Sequence, residues 1–334
     1  MTENYINTII EGDALEVLKT LPSNLVNCIV TSPPYYRQRD YGFKSQIGME
    51  ATPEKYINRL VEIFREAKRV LRNDGTLWVN IADSYANSGK GGANYPENAK
   101  KYKQGTNKGS LSCKTSIKST KKYKPKDLIG IPWMLAFALR ADGWYLRQDI
   151  IWSKPNPMPE SVQDRCTKSH EYIFLLSKSR KYYFDADAIK TDAINPSDDI
   201  RRMNQVKDTH KRKPDNLMNG IRKRKPRPGI DTRSGNQGTG DIPSVLKANK
   251  RSVWTVATKP YKEAHFATFP EPLIVDCIKA GSPENGIVMD IFSGSGTTYV
   301  TARKLNRNAI AIEFKPAYIR ISDKRIYNEL GMFR

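Results

Sequence analysis

The sequence predicts an α/β protein with a doubly wound, mostly parallel β-sheet. Short apolar runs alternate along the chain with amphipathic segments of helical spacing, which is the pattern of βαβ units. Residues with special backbone or chemical properties follow several of these runs, at the strand ends where such sheets bind ligands. The excess of basic residues is confined to two stretches, so the rest of the chain has the nearly neutral composition of a packed domain.

The first half of the chain contains the clearest predicted helix. It begins at Thr52-Pro53 and ends near Leu71, and its apolar residues recur every three or four positions. Asn73-Asp74-Gly75 then predicts a turn into the next strand. The other elements predicted up to residue 176 are an apolar run at 6–11, helices at 14–21 and 132–140, and strands at 27–31, 76–81, 145–152 and 172–176.

The last part of the chain predicts strand, helix, strand and helix, at 286–292, 297–305, 308–313 and 316–329. The longest nearly apolar run, 128–139, is far shorter than the ~20 residues that span a bilayer. The first residues lack the basic head and apolar core of a secretory signal. The four cysteines form no CxxC pair, so we expect neither a metal site nor a disulfide framework. A reduced cytoplasmic setting is predicted.

The net charge indicates a polyanionic partner. The chain carries a formal charge of +21 and has a pI near 9.7, which is typical of nucleic-acid-binding proteins, although a merely basic protein is an alternative. Most of this charge lies in two stretches, 86–127 and 186–251, whose Gly, Asn, Ser and Lys content predicts loops. We expect a catalytic half at 1–185 with a basic insertion at about 86–127, a target-recognition region at 186–251, and a cofactor-binding half at 252–334.

The segment 288–298, VMDIFSGSGTT, joins an apolar strand to a helix through a glycine-rich turn. Such a turn brings backbone N–H groups close to a ligand. A dinucleotide fingerprint would place a third glycine where Tyr299 stands, so a nucleoside cofactor without phosphates is favoured. Glu313 ends the next strand, where an acidic side chain can bind two ribose hydroxyls. An ordinary βα connection is the alternative interpretation.

The segment 31–36, TSPPYY, follows another predicted strand. Two consecutive prolines restrict the backbone and remove two N–H donors, which leaves carbonyl acceptors. A planar base could stack on Tyr35 while its amino group donates to Ser32 and to the Pro33 carbonyl. A plain Pro-Pro turn with a packing tyrosine is the alternative.

In these motifs the chain resembles the DNA amino-methyltransferases of the β arrangement, in which the catalytic half precedes the cofactor half and the fold is circularly permuted. Ser32-Pro33-Pro34-Tyr35 matches the catalytic motif of that family. The segment 290–296 matches its cofactor loop, and Gly12-Asp13 matches a site near the cofactor adenine. The segment 265–270, HFATFP, resembles the one that covers the methionine end of the cofactor. The segments 152–156 and 169–172 resemble those that support the target-base pocket.

The resemblance implies S-adenosyl-L-methionine as the cofactor and no metal. The residues that it implies for cofactor binding are Asp13, Thr268, Phe269, Asp290, Phe292, Ser293, Gly294, Gly296, Thr297 and Glu313. Restriction–modification systems carry such enzymes, so a cognate restriction endonuclease is a further partner that it allows. A prokaryotic or phage-encoded cytoplasmic enzyme follows.

The chemistry expected is direct methyl transfer to an exocyclic amino nitrogen. Ser32 and the Pro33 carbonyl would accept the two amino hydrogens, so the nitrogen lone pair could attack the methyl group in line. Carbon-5 methylation of cytosine would need a thiolate after a proline, and no cysteine of this chain follows a proline. That reaction is therefore excluded.

Double-stranded DNA is the expected substrate, and the target base must rotate out of the stack. Basic side chains of the second insertion would bind phosphates, which makes affinity depend on salt. The residues expected to do so are Lys211, Arg212, Lys213, Arg222, Lys223, Arg224, Lys225 and Arg227.

The identity of the first catalytic residue favours one base. Family members with Asp at this position usually act on adenine N6, and those with Ser usually act on cytosine N4, so Ser32 favours cytosine. Adenine N6 methylation stays open, as does an inactive DNA-binding protein on the same fold. A nicotinamide-dependent oxidoreductase is disfavoured by Tyr299 and by the Pro-Pro segment.

Overall fold

The computed structural model describes residues 5–38, 46–86, 120–192, 247–258 and 269–331. Its strands are β1 (Thr8–Glu11), β2 (Val26–Thr31), β3 (Leu71–Ile81), β4 (Tyr145–Ser153), β5 (His170–Ser177), β6 (Thr191–Asp192), β7 (Lys247–Ala248), β8 (Val253–Thr255), β9 (Ile287–Asp290) and β10 (Asn308–Glu313). Its helices are α1 (Ala14–Thr20), α2 (Pro53–Val70), α3 (Ile131–Ala141), α4 (Glu271–Gly281), α5 (Thr297–Lys304) and α6 (Pro316–Leu330).

Eight of these strands form one sheet in the order β1-β10-β9-β2-β3-β5-β4-β8. The pairs from β1 through β3 are all parallel, and β8 is parallel to β4. Strand β5 runs antiparallel to both of its neighbours, β3 and β4. The predicted fold class, an α/β protein with a mostly parallel sheet, is therefore confirmed.

The sheet is buried on both faces, as parallel sheets generally are. In β2, Ile29 packs into one apolar cluster, whereas Cys28 and Val30 on either side of it pack into the other. Helices α1, α2 and α3 cover the first face, and α4, α5 and α6 contribute to the cluster on the second face. This alternation explains why the strands read as continuous apolar runs in the sequence.

Strand β3 begins five residues earlier than the sequence predicts, at Leu71. Val26 pairs with Leu71 and Cys28 pairs with Thr76, so the residues between Leu71 and Thr76 form an irregularity opposite a single residue of β2. The predicted turn at Asn73-Asp74-Gly75 is therefore a bulge within the strand.

The chain divides into two compact units, residues 1–189 with 251–334, and residues 190–250. In the described part of the second unit, β6 and β7 pair antiparallel. The division into catalytic, target-recognition and cofactor-binding regions stays a prediction. In the described part of the chain, no helix has the length and apolar character needed to cross a membrane.

Helix α3 begins without a capping side chain of its own. Its N-cap residue is Gly130, with a φ of 85°. The buried carboxylate of Asp83, just after β3, accepts the amide hydrogens of Gly130 and Ile131, each at 3.0 Å. Burial raises the pKa of Asp83, and these amide hydrogen bonds act in the opposite direction. A side chain that follows strand β3 thus caps a helix distant in the sequence.

Replacing Asp83 with alanine is expected to lower the free energy of unfolding by about 2–4 kcal/mol, because it leaves buried helix N–H groups without an acceptor. Urea unfolding followed by circular dichroism measures this loss. The matched control is Asp74→Ala, which removes an exposed carboxylate paired with Arg72 and should change stability by less than about 0.5 kcal/mol. Equal stability of the two variants would contradict the capping role.

Candidate active site

The two motifs leave the same edge of the sheet at neighbouring strands. β2 and β9 are adjacent and parallel, with Ile29 opposite Met289. From β2 the chain passes through α2 to β3, and from β9 it passes through α5 to β10 on the opposite side. The two helices pack on opposite faces. The sheet therefore has its topological switch point between β2 and β9, where doubly wound folds bind ligands.

The segment Ser32-Pro33-Pro34-Tyr35 follows β2 directly. The Pro34 carbonyl accepts a hydrogen bond from the Tyr56 hydroxyl of α2 at 2.9 Å, which anchors the segment to helix α2 on the first face of the sheet. No hydrogen bond joins the carbonyl of Pro33, a buried residue, to any described residue. Ser32 is partly exposed at the strand end. The segment thus presents a hydroxyl and an available carbonyl side by side.

The hydroxyl of Tyr35 lies in a network of polar side chains. It contacts Glu171 Oε2 at 2.6 Å and Asn80 Oδ1 at 2.9 Å, and Ser32 Oγ donates to it at 3.5 Å. The other Glu171 oxygen forms an ion pair with Lys154. Burial, followed by the charge of Glu171, raises the pKa of Tyr35 well above its ordinary value. Tyr35 therefore keeps its proton at neutral pH.

The segments expected to support the base pocket surround this network. Lys154 follows β4 with its ammonium 4.3 Å from the Trp152 ring, and the Trp152 indole donates to the Val256 carbonyl at 2.8 Å. Asn156 exchanges two hydrogen bonds with the backbone of Thr258. Glu171 is the second residue of β5, beside His170. The two segments are thus brought together with Tyr35 at one end of the sheet.

The glycine-rich turn after β9 has the backbone conformation that its sequence predicts. Gly294 and Gly296 adopt φ values of 55° and 75°, in the left-handed region that glycine tolerates. A Cβ added to Gly294 would meet no atom within 4 Å, so open space lies beside it. The hydroxyl of Ser293 is buried and has no hydrogen-bond partner among the described residues. Both features leave room and a polar group for a ligand.

Glu313 lies beside this turn at the end of β10. One carboxylate oxygen accepts from the Gly294 amide and the other from the Lys315 amide, each at 2.8 Å. Because an ionised carboxylate offers about four acceptor positions, each oxygen retains one for a ligand hydroxyl. Burial raises the pKa of Glu313, against the effect of these two amides. Gly12 N bonds to the Glu313 carbonyl at 3.0 Å, which brings Asp13 close to the same site.

Asp290 connects the two motifs. Its Oδ1 accepts from the Thr31 hydroxyl at 2.6 Å and from the Phe292 amide at 3.1 Å, and its Oδ2 accepts from the Thr298 hydroxyl at 2.7 Å. Burial raises the pKa of Asp290, opposed by these hydrogen bonds. All of these contacts are to protein groups, and Thr31 immediately precedes Ser32. Asp290 thus holds the end of β2 against the glycine-rich turn.

The other residues predicted to bind the cofactor differ in how deeply their side chains are buried. Thr297 is buried at the start of α5 and accepts a hydrogen bond from Arg325 at 2.8 Å. Phe292 and Phe269 are partly buried and pack against the two apolar clusters. Thr268 lies outside the described residues, as do all the predicted DNA-binding residues, namely Lys211, Arg212, Lys213, Arg222, Lys223, Arg224, Lys225 and Arg227.

Three polar residues at the site were not predicted from the sequence. Asn80 and Asp83 lie at and just after the end of β3, and Lys168 donates to the Asp83 carbonyl at 3.2 Å. Burial lowers the pKa of Lys168. The only signal available for Asn80 was a polar residue near the end of an apolar strand.

The residues around the glycine-rich turn fit a nucleoside cofactor. Glu313 offers acceptors for ribose hydroxyls, Ser293 offers an unpaired hydroxyl, and the turn leaves open space at Gly294. The turn and its flanking residues, 288–298, contain no lysine or arginine, which a phosphate-bearing ligand would favour. Among the described residues, no group of three or more potential metal ligands is present.

Comparison with known proteins gives the same assignment across nearly the whole chain. The family model described as DNA methylase (N6_N4_Mtase) matches residues 26–324. The chain is 44% identical to the type II methyltransferase M.Cfr9I of Citrobacter freundii, over 96% of this chain and 88% of that protein. It is 42% identical to the type II methyltransferase M.SmaI of Serratia marcescens, over 95% of this chain and 90% of that protein.

Solved structures share the fold. PvuII DNA methyltransferase (cytosine-N4-specific) superposes with a TM-score of 0.59 at 16% identity, over 95% of this chain and 85% of that chain. A candidate DNA modification methylase from Thermus thermophilus, complexed with S-adenosyl-L-methionine, gives a TM-score of 0.57 at 19% identity, over 97% of this chain and 94% of that chain. Since the family model runs through both motifs and the relatives match over most of their length, this chain belongs to the N6/N4 DNA methylase family, among the type II methyltransferases.

Proposed function

We propose that this protein transfers the methyl group of S-adenosyl-L-methionine to the exocyclic N4 of cytosine in a flipped-out base of double-stranded DNA. The observation that carries this proposal is the pair of acceptors at the end of β2, the Ser32 hydroxyl and the Pro33 carbonyl without a partner among the described residues. They lie at the switch point beside a turn that fits a nucleoside.

The cofactor would be held by residues of both halves of the chain. Glu313 would accept the ribose hydroxyls, Asp13 would lie near the adenine, and Ser293 with Gly294 would contact the rest of the nucleoside. Phe269 and Thr268 would cover the methionine end. When bound, S-adenosyl-L-methionine supplies an electrophilic methyl group on a positively charged sulfur.

The residues after β2 would activate the amino nitrogen. The lone pair of an exocyclic amino group is delocalised into the base ring, which makes the nitrogen a poor nucleophile. Ser32 and the Pro33 carbonyl, by accepting its two hydrogens, favour a tetrahedral nitrogen with a localised lone pair. Stacking on Tyr35 would orient the base. Holding the base and the cofactor together where β2 and β9 end would supply much of the acceleration.

Cytosine is the base that Ser32 favours. The resemblance associates serine at this position with N4 methylation. The PvuII enzyme, whose fold this chain shares, is named as a cytosine-N4-specific methyltransferase. Every residue role proposed above also serves adenine N6. Identification of the methylated nucleoside therefore decides between cytosine and adenine.

The basic residues of the second insertion would bind the DNA backbone, and base flipping would bring the target nitrogen to Ser32. The related type II methyltransferases support a role in a restriction–modification system, with a cognate endonuclease as a partner. The relatives from Citrobacter freundii and Serratia marcescens support a cytoplasmic enzyme that is prokaryotic or phage-encoded.

The test is mass spectrometry of nucleosides from unmethylated plasmid and genomic DNA incubated with the protein and S-adenosyl-L-methionine. N4-methylcytosine is the expected product. N6-methyladenine would keep the mechanism and overturn the assignment of the base. No modified base on several DNAs would overturn the proposed activity and favour an inactive DNA-binding protein.

S-adenosyl-L-methionine at about 100 times its Kd should stabilise the folded protein by about 2.7 kcal/mol and raise its Tm by about 5 °C. Glu313→Gln should reduce this shift, because the amide removes an acceptor for the ribose hydroxyls. Differential scanning fluorimetry measures both, with NAD as the control ligand. A comparable shift with NAD, or an unchanged shift in the variant, would contradict the assigned site.

A further inference from the structure

A continuous chain of polar contacts leads from Ser32 away from the substrate side of the pocket. Ser32 Oγ donates to Tyr35 Oη at 3.5 Å, and Tyr35 Oη is 2.6 Å from Glu171 Oε2. Asn80 holds the same hydroxyl at 2.9 Å, and its own amide is held by the Tyr172 carbonyl at 3.2 Å. Ser32 and Tyr35 are 3 positions apart in the sequence, whereas Tyr35 and Glu171 are 136 positions apart. The proposed function assigns no role to Glu171.

The reaction needs a proton acceptor. When the amino nitrogen forms a bond to the methyl carbon, the bond from that carbon to sulfur breaks and its electron pair remains on sulfur. The nitrogen then carries a positive charge until one of its hydrogens leaves as a proton. A serine hydroxyl is a weak base, so Ser32 can receive this proton only if it releases its own hydrogen at the same time.

We propose that Glu171 takes up this proton through Tyr35 and Ser32. The Glu171 carboxylate, reached through the tyrosine, thus accepts the proton that a carboxylate at position 32 would accept directly. The proposal rests on the methyl transfer proposed above. The amino proton passes to Ser32 Oγ, the Ser32 hydrogen passes to Tyr35 Oη, and the Tyr35 hydrogen passes to Glu171 Oε2. Charge and atoms balance, since the cationic base and the carboxylate both become neutral.

The surroundings of Glu171 suit this role. Lys154 pairs with the other carboxylate oxygen, Oε1, which leaves Oε2 directed at the Tyr35 hydroxyl as the oxygen that can accept. The Glu171 side chain is 12% exposed, which leaves a route for the proton to reach solvent afterwards. Tyr35 stays protonated because desolvation of its hydroxyl and the adjacent Glu171 charge both raise its pKa. It can therefore pass a proton only by accepting one from Ser32, which keeps the transfer coupled to the chemistry at the base.

The experiment measures single-turnover transfer of tritium-labelled methyl from S-adenosyl-L-methionine to unmethylated plasmid DNA, with enzyme in excess. Glu171→Gln and Tyr35→Phe should each slow transfer by about 10- to 100-fold, with DNA affinity changed little. The matched control is Glu160→Gln, which removes a nearby carboxylate that pairs with Arg165 and not with Tyr35. It should transfer at the wild-type rate.

A bypass variant separates proton transfer from simple anchoring of Tyr35. In a Ser32→Asp background the carboxylate accepts directly, so adding Glu171→Gln should cost less than about twofold. The same loss as in the serine background would mean that Glu171 only positions the tyrosine ring, and would overturn the relay.

If Ser32→Asp does not support transfer, the solvent isotope effect decides. The wild-type rate should fall in deuterated water, and this effect should disappear in Tyr35→Phe. An isotope effect equal in both proteins would overturn the relay. A wild-type protein that methylates no DNA would instead remove the proposed function, whereas normal transfer by Glu171→Gln would remove the relay alone.

Discussion

Replacing Ser32 with alanine is expected to slow methyl transfer by about 10²- to 10³-fold in a single turnover, the usual cost of losing one hydrogen-bond acceptor or donor used in a transition state. In the proposed mechanism the Ser32 hydroxyl accepts one amino hydrogen and the Pro33 carbonyl accepts the other, so the alanine variant leaves one hydrogen without its acceptor. Affinity for cofactor should be unchanged, because the Ser32 hydroxyl forms its hydrogen bond with Tyr35 and forms none with the described residues of the glycine-rich turn.

The measurement is the single-turnover rate on plasmid DNA together with the Tm shift caused by S-adenosyl-L-methionine. Ser23→Ala is the matched control, since Ser23 is exposed and bonds only to Arg69 among the described residues. It should be as active as the wild type. Full activity in Ser32→Ala would show that the amino group is activated by other acceptors, and the mechanism proposed for the segment after β2 would be wrong.

The position of both motifs could be predicted from local sequence. Apolar runs ending in Ser32-Pro33-Pro34 and in Asp290 indicate strands, and alternation with helices indicates a parallel sheet whose strand ends share an edge. Identifying the strands and inferring a parallel sheet are enough to place both motifs at one site, without knowledge of the strand order. The order itself, with β9 next to β2, depends on which apolar faces pack together and has no local signal.

The contacts made by polar side chains could not be predicted in the same way. The resemblance places Glu171 in a segment that supports the base pocket. Its contact with the Tyr35 hydroxyl, however, depends on how β3 and β5 pair, with Ile81 opposite Tyr172. Asp83 gave no signal, because the helix that it caps begins 48 residues later in the sequence. A side chain that serves a distant element follows no periodicity.

Asp290 is predicted to bind the cofactor, but its observed hydrogen bonds are to protein groups. The resemblance implies that it binds cofactor, whereas its carboxylate accepts hydrogen bonds from Thr31, Phe292 and Thr298. Each hydrogen bond to a buried carboxylate is worth more than one between neutral groups. The catalytic segment and the glycine-rich turn therefore share one anchor, and damage to it should affect both.

Asp290→Ala is expected to lower the free energy of unfolding by about 3–5 kcal/mol, since it leaves buried hydroxyl and amide donors without an acceptor. Displacement of Thr31 should also move Ser32, and a shift of about 1 Å can cost a further 10²-fold in rate. Thermal unfolding and single-turnover transfer measure the two effects. Asp149→Ala, at an exposed position of β4, is the control and should be nearly neutral.

Asp290→Asn separates the structural role from direct cofactor binding. Its carbonyl oxygen can still accept from Thr31 and Phe292, and the Thr298 hydroxyl, displaced by the new NH₂ group, can donate to the Val30 carbonyl at 3.3 Å. We therefore expect most of the stability to return. If Asp290 acts only as the anchor, the Tm shift with S-adenosyl-L-methionine should return as well. A stable Asp290→Asn protein that no longer responds to S-adenosyl-L-methionine would show that the carboxylate also contacts the cofactor, as the resemblance implies.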